Sequence, residues 1–350
     1  MQHEVTRAQA LLDGRGRIVE EGWARRPLWA YDRRAIKASA LRVKEWDYYS
    51  ILSHDGRYAL TLTASDLGYA GLYAICFLDF EARHYSQVDS LRPFPLGRAG
   101  FGPDSDSGGI AYRDAKLELR LSYAREEGGS VKRSLEFSAP GIADAAGKKG
   151  LAGRLELDQP LGLESMNIAT SWAEKRSAFY YNRKINCMPA SGSFELGGRA
   201  YGFDAARDFG ALDWGRGRWT YENRWYWGSA SGLVGGEAFG FNIGYGFSDR
   251  SPASENALVY RGRLHKLDEV RFHIDESDYL KPWRFSSSDG RFEMDFSPLV
   301  DRRADTAIGP IVSRQHQVFG EFNGFCRLDD GTELRLERFL GFAEDVYNRW

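Results

Sequence analysis

Apolar side chains recur on every second residue along this chain, a period that fits strands with one wet face and one buried face. Leu117, Leu119, Leu121 and Tyr123 alternate with Glu118, Arg120 and Ser122. Phe239, Phe241, Ile243, Tyr245 and Phe247 repeat the pattern, as do Phe292, Met294 and Phe296. Asp55-Gly56, Asp289-Gly290 and Asp330-Gly331 separate such runs and tolerate the positive φ of a hairpin; Glu126-Glu127-Gly128-Gly129 and Gly197-Gly198 act alike. Closely spaced strands joined by hairpins predict an all-β antiparallel sandwich or barrel, since a parallel sheet would need crossover helices. Only Thr6–Leu12 and Leu340–Tyr347 are patterned for short helices, and the Gly/Lys-rich Ile142–Gly150 reads as a loop or linker. Aromatic residues make up 14% of the chain, which suits pleated, half-buried surfaces. The 350 residues suffice for two domains, with the expected boundary dividing 1–195 from 196–350.

Charge and motifs narrow the function. With 47 basic and 49 acidic residues the net charge is −2, so no overall field favours nucleic acid or an anionic membrane. The longest apolar run, near Leu72–Leu78, is too short to span a bilayer, and stable membrane insertion is not expected. The opening Met1-Gln2-His3-Glu4 carries no signal-peptide pattern. Cys76, Cys187 and Cys326 form no CxxC pair and read as small buried hydrophobes in a reducing, cytoplasmic setting. His54, His84, His273 and His316 form no HxxxH or HExxH pair. There is no phosphate loop, GxSxG elbow or dinucleotide fingerprint, so neither a metal nor a cofactor is expected.

The segment richest in chemistry runs from Asp213 to Trp227, holding Trp214, Arg216, Trp219, Glu222, Arg224, Trp225, Tyr226 and Trp227. Strand alternation puts Trp225 and Trp227 on one face and Arg224 and Tyr226 on the other. Gly215 and Gly217 permit close backbone approach or a sharp turn. Asp213 among aromatics is the candidate acid, because burial disfavours a carboxylate, while Arg216 beside it pulls the other way. If it is instead a buried partner of Arg, Asp213→Asn costs roughly 3–5 kcal/mol. The segment is expected to line the largest enclosed pocket. A second set, Asn182, Lys184 and Asn186, shares one strand face, and periodicity alone favours solvent there. A third joins Glu255 and Asn256 with His265.

The block Leu212-Asp213-Trp214-Gly215-Arg216-Gly217-Arg218-Trp219 resembles the bacterial family known as domain of unknown function 2804. Lys44–Tyr48, Asp66–Gly71, Tyr181–Lys184, Glu255–Leu258, His265–Leu267, Lys281–Trp283, Gly341–Asp345 and Asn348–Trp350 extend the resemblance over nearly the whole chain. That family is remotely similar to a lipocalin-like superfamily that includes carotenoid 1,2-hydratase (hydroxyneurosporene synthase), kievitone-hydratase-like proteins and fungal Diels–Alderase-type cyclases. The resemblance implies two consecutive calycin-like barrels, a ligand pocket at or between them, and no cofactor. In the hydratases an Asp protonates an alkene and aromatics steady the cation, a role the resemblance passes to Asp213 with Trp214, Trp225 and Trp227.

These readings converge on a cofactor-free lyase or isomerase, hydratase- or cyclase-like, acting on an apolar or amphipathic small molecule such as an isoprenoid or lipid. Arg216 or Arg224 would anchor a polar end. A non-catalytic lipid- or metabolite-binding protein is the first rival. A carbohydrate-active protein using aromatic platforms, with Glu222 and Asp213 as paired carboxylates, is the second.

Overall fold

The alternating runs become strands, and hairpins form at all three Asp-Gly pairs and at both glycine pairs. The computed structural model describes residues 2–309 and 311–349; Met1, Pro310 and Trp350, including the end of the Asn348–Trp350 block, lie outside the described residues. Two large sheets hold most strands, one of 13 and one of 9. Their neighbours run antiparallel, while Gln9–Ala10 and Trp29–Ala30 form a separate parallel pair. The first sheet curls until its edge strands His84–Pro93 and Gly108–Arg113 meet through side chains: Ser90 Oγ lies 2.8 Å from Tyr112 OH. In the second, the edge strands Arg263–Lys266 and Val270–His273 are consecutive in the chain. The fold is all-β, two consecutive antiparallel barrels, with two three-residue helical turns at Arg33–Ala35 and Ala40–Arg42.

Both expected helices are strand instead. Thr6–Leu12 contains Gln9–Ala10, and Leu340–Tyr347 lies inside the strand Glu333–Arg349. The second segment sits between Glu222–Val234 and Ile311–Arg327, which take its backbone hydrogen bonds and override weak helical propensity. Ile142–Gly150 is a hairpin within the first sheet, joining Val131–Ala143 to Lys149–Gln159. The change of sheet falls between Arg218 and Glu222, not at 195/196; the strands Lys175–Leu196 and Arg199–Phe203 both belong to the first sheet.

Three layers of core follow. Tyr49, Ile51, Leu60 and Leu62 fill the first barrel. Phe241, Phe285, Phe296 and Phe322 fill the second. Between them Tyr48, Leu52 and Leu78 from one sheet meet Trp227, Phe319 and Phe342 from the other. Strands at this seam are buried on both faces, so Val43–Ser53 is buried at nearly every position. The 22-residue strand Lys175–Leu196 holds the barrels in register. It bulges between Ile185 and Met188, with Cys187 at φ 61°, and there Asn186 Nδ2 donates to Ser229 Oγ at 2.9 Å and to the Phe241 carbonyl at 3.1 Å.

Candidate functional site

Adjacent strands Lys175–Leu196 and Phe209–Arg218 place Lys184 directly opposite Asp213. Lys184 Nζ lies 2.9 Å from Asp213 Oδ2 and 3.7 Å from a Glu255 carboxylate oxygen. Asn182 Nδ2 donates to Asp213 Oδ1 at 2.5 Å, and Tyr180 OH donates to Glu255 Oε2 at 3.1 Å. The ammonium rests 3.9 Å from the centre of the Trp227 ring, whose Nε1 donates to Asn242. Asn182, Lys184 and Asn186, at 0%, 5% and 2% exposure, therefore face the seam and not solvent. Periodicity showed that they share a face; the second barrel covers it.

A third carboxyl joins this group. Glu344 accepts from Trp225 Nε1 and from Gln317 Nε2, each at 2.9 Å, and Gln317 Oε1 in turn accepts from Arg302 and Tyr48. Burial pushes the Glu344 carboxyl up to about 7; the two donors and Lys184 oppose that rise, and Asp213 adds to it. Burial raises Glu255 as well, with Lys184 opposing and Asp213 adding. Lys184 thus sits among three buried carboxyls, and burial favours the protonated form of two of them, Glu344 and Glu255.

One small cavity adjoins the group, and a larger cleft shares only Arg250 with that cavity. Ile168, Tyr180, Phe247, Ala253 and Glu255 help wall a chamber of about 10 Å³, room for roughly one water. Outside it lies a cleft of about 820 Å³ bordered by Gln2, Trp23, Lys266 and Glu269. Arg250 borders both cavities and pairs with Glu269. Burial lowers the Lys266 ammonium to about 7, although its Nζ has three oxygen acceptors within 2.9 Å.

The segment Asp213–Trp227 lines neither cavity, against expectation. Its aromatics are dense because it crosses the seam and is packed on both faces. Alternation turns Trp214 and Arg216 into the first barrel, away from Asp213. There the Arg216 guanidinium lies 4.0 Å from the centre of the Trp214 ring and 3.0 Å from Asp47. The cation beside Asp213 is consequently Lys184. Trp219 packs on Trp46, Trp225 and Phe247 with ring centres 5.1, 5.7 and 4.7 Å away. Arg224 pairs with Asp345 and Glu276, and Tyr226 stacks on Tyr245; neither borders the chamber. Asn256 is structural, accepting from the Gly244 amide and donating to the Asp268 carbonyl. His265 pairs with Asp329. Glu222 is exposed and accepts from Tyr347, so it does not share a site with buried Asp213.

Gly215 and Gly217 admit rings, not a ligand. A Cβ at 215 would fall inside the Trp46 indole, and one at 217 would clash with the Phe179 carbonyl and press on Trp219. Gly215→Ala is expected to destabilise the fold by about 1–3 kcal/mol through overpacking. Chemical denaturation measures this, and an unchanged midpoint would show that Trp46 moves aside freely.

Residues the sequence did not single out are Tyr180, Phe247, Arg250 and Glu344. Tyr180 shares the face of Asn182 and Lys184, and that spacing was its signal. Glu344 lay inside the Gly341–Asp345 block. Among the described residues no metal-holding cluster of His, Cys, Asp and Glu occurs, and no helix is long and apolar enough to cross a membrane.

Solved structures share this architecture. CghA, crystallised with Sch210972, aligns at a TM-score of 0.53 and 13% identity, over 88% of this chain and 89% of that one. An AttH-like protein of Nitrosomonas europaea aligns at 0.53 and 16% identity, over 92% of this chain and 98% of that one. Kievitone hydratase of Nectria haematococca aligns at 0.49 and 11% identity, over 87% and 88%. Likeness at these identities concerns the fold. No curated protein matches the chain. The family model described as domain of unknown function (DUF2804) matches residues 2–350, and the chain belongs to that family.

Proposed function

We propose that the protein is a cofactor-free acid–base lyase or isomerase for an amphipathic small molecule, with Glu255 as its proton donor. The observation that carries this reading is a buried carboxyl on the wall of an apolar chamber, raised by burial and sharing one ammonium with Asp213. Asp213 then serves as a positioning residue: it holds Lys184 and does not border the chamber.

In a hydration, the Glu255 proton passes to one carbon of an alkene, whose π electrons form the new C–H bond. The cation left on the neighbouring carbon is met by the Glu255 carboxylate that has just released its proton, beside the Tyr180 and Phe247 rings of the chamber wall. Water adds to the cation and returns a proton to the Glu255 carboxylate. Dehydration is the reverse, and loss of a different proton gives an isomer. Because the chamber has room for only about one water, the reaction requires Phe247 and Arg250 to swing aside and admit the apolar part of the ligand; its polar end stays in the outer cleft, where Arg250 takes the anchoring role expected of Arg216 or Arg224. The crystal form of CghA with Sch210972 supports a small molecule as the ligand class for this fold.

The test is incubation with an extract of apolar metabolites in water labelled with heavy oxygen, followed by mass spectrometry. A product gaining one labelled water, or an isomer of unchanged mass, is expected with the wild type and not with Glu255→Gln. A compound recovered bound and unchanged would favour the non-catalytic binding protein. Cleavage of added oligosaccharides would favour the carbohydrate reading.

A further inference from the structure

One end of the first barrel combines features that neither the chamber nor the seam uses. The turn Leu91-Arg92-Pro93-Phe94-Pro95-Leu96-Gly97-Arg98 holds Leu91 and Phe94 64% and 60% exposed. Phe94 and Leu96 have φ of 48° and 54°, a left-handed conformation costly for bulky residues. The turn is nevertheless firmly built. Phe94 N donates to the Tyr69 carbonyl at 2.9 Å, and buried Asp66 accepts from the amides of Gly68 at 2.9 Å and Gly97 at 2.7 Å. Leu41, 44% exposed, has its backbone packed against Gly68 on the neighbouring loop. A strained, rigid turn thus presents a phenylalanine to solvent.

Cations surround these side chains. Arg92 and Arg98 flank Phe94 in the turn, and Arg34 and Lys37 stand exposed on the adjoining loop. Arg42 donates to the Trp219 carbonyl at 3.0 Å and Arg218 to the Lys37 carbonyl at 3.1 Å, which brings both to the same end. Of the acids there, Asp66 is turned inward, whereas Asp32 offsets Arg34 and exposed Asp13 offsets one further cation, which still leaves the cations in excess. This end is basic although the chain as a whole carries a net charge of −2.

We propose that this end docks on an anionic lipid surface, with Phe94, Leu91 and Leu41 entering the interface and the cations meeting lipid phosphates. Apolar side chains set singly among cations suit a fluid bilayer surface, which accepts separate side chains; a protein partner needs one contiguous patch. Docking here involves no spanning segment. It also brings the membrane to the end where Trp219 packs on Phe247 of the chamber wall. The proposal stands whether or not the chamber performs chemistry.

The test is sedimentation with phosphatidylcholine vesicles, with and without an equal part of phosphatidylglycerol. Wild-type protein is expected to pellet with the anionic vesicles only and to be released by salt. Phe94→Gly removes the ring and relieves the left-handed strain, so binding should fall about tenfold while the melting temperature holds or rises. Arg92→Glu should weaken binding by a similar factor without touching the ring. Absence of wild-type binding to anionic vesicles would overturn the proposal, as would variants that bind like wild type. A concentration-dependent dimer that Phe94→Gly abolishes, without vesicle binding, would overturn it in favour of a second copy of the chain.

Discussion

Lys184→Met is expected to remove about 3–5 kcal/mol of folding stability at pH 7, well beyond the loss from Asp213→Asn. The asymmetry follows from the count of charges at the seam. Lys184 is the ammonium beside Asp213 and Glu255 and within electrostatic reach of Glu344. Removing it leaves three buried carboxyls without that cation. Asp213→Asn leaves the ammonium beside Glu255 and lowers the local excess of acid, so it forfeits about 1.5–3 kcal/mol, the worth of one charge-assisted hydrogen bond. Urea denaturation with linear extrapolation separates the two. The Lys184→Met deficit should shrink as the pH falls, because protonated acids need no counter-charge. Combining the two substitutions should recover part of the loss. Equal costs for the single variants would mean that Lys184 serves Asp213 alone.

Stability of the wild type should fall as pH rises between 4.5 and about 7, and Glu344 should be a principal cause. Its ordinary value of 4.5 applies in the unfolded chain, whereas burial lifts the folded value to about 7. Between these values the folded state holds a proton that the unfolded state has released. Unfolding therefore becomes easier with each step up in pH, and the penalty levels off above about 7 at roughly 3 kcal/mol. Lys184 and Asp213 act on this carboxyl through their charges, and Arg302 reaches it through Gln317. Glu344→Gln should flatten this part of the pH–stability curve whatever its absolute stability, because it cannot titrate. A wild-type and variant pair with parallel slopes between pH 4.5 and 7 would show that Glu344 ionises normally. Trp225 donates to Glu344, so its fluorescence offers an independent reading of the same titration.

Leu117–Tyr123 shows why the barrels were legible in the sequence. Each apolar residue of that run is buried and its polar neighbours are not, because one face of the strand meets the barrel interior and the other meets water. The seam was not legible for the corresponding reason. Around Leu340–Val346 both faces are covered, one by the second barrel's own core and one by the first barrel, so alternation vanishes and a helix could be read in its place. The same covering hid the environment of Asn182, Lys184 and Asn186. Asp213 was singled out, but its cation was misassigned to Arg216. Period 2 turns Asp213 and Arg216 to opposite faces, and the true partner comes from a strand joined only by tertiary pairing. Glu344 gave no local signal because its shift arises from burial beneath residues far away in the chain.

The placement of Phe209–Arg218 governs the order in which the molecule can be made. This strand lies between Val43–Ser53 and Lys175–Leu196, so the first barrel gains its central staple only after some two hundred residues have been synthesised. The chain's beginning waits longer still. His3 N bonds to the Pro252 carbonyl, and the Gln2 amide bonds to the Leu267 carbonyl and accepts from Ser254 N. Until those partners leave the ribosome, the earliest strands carry unpaired edges and exposed apolar faces. This topology therefore favours slow, late closure of the first barrel, and neither half released alone is expected to stay monomeric.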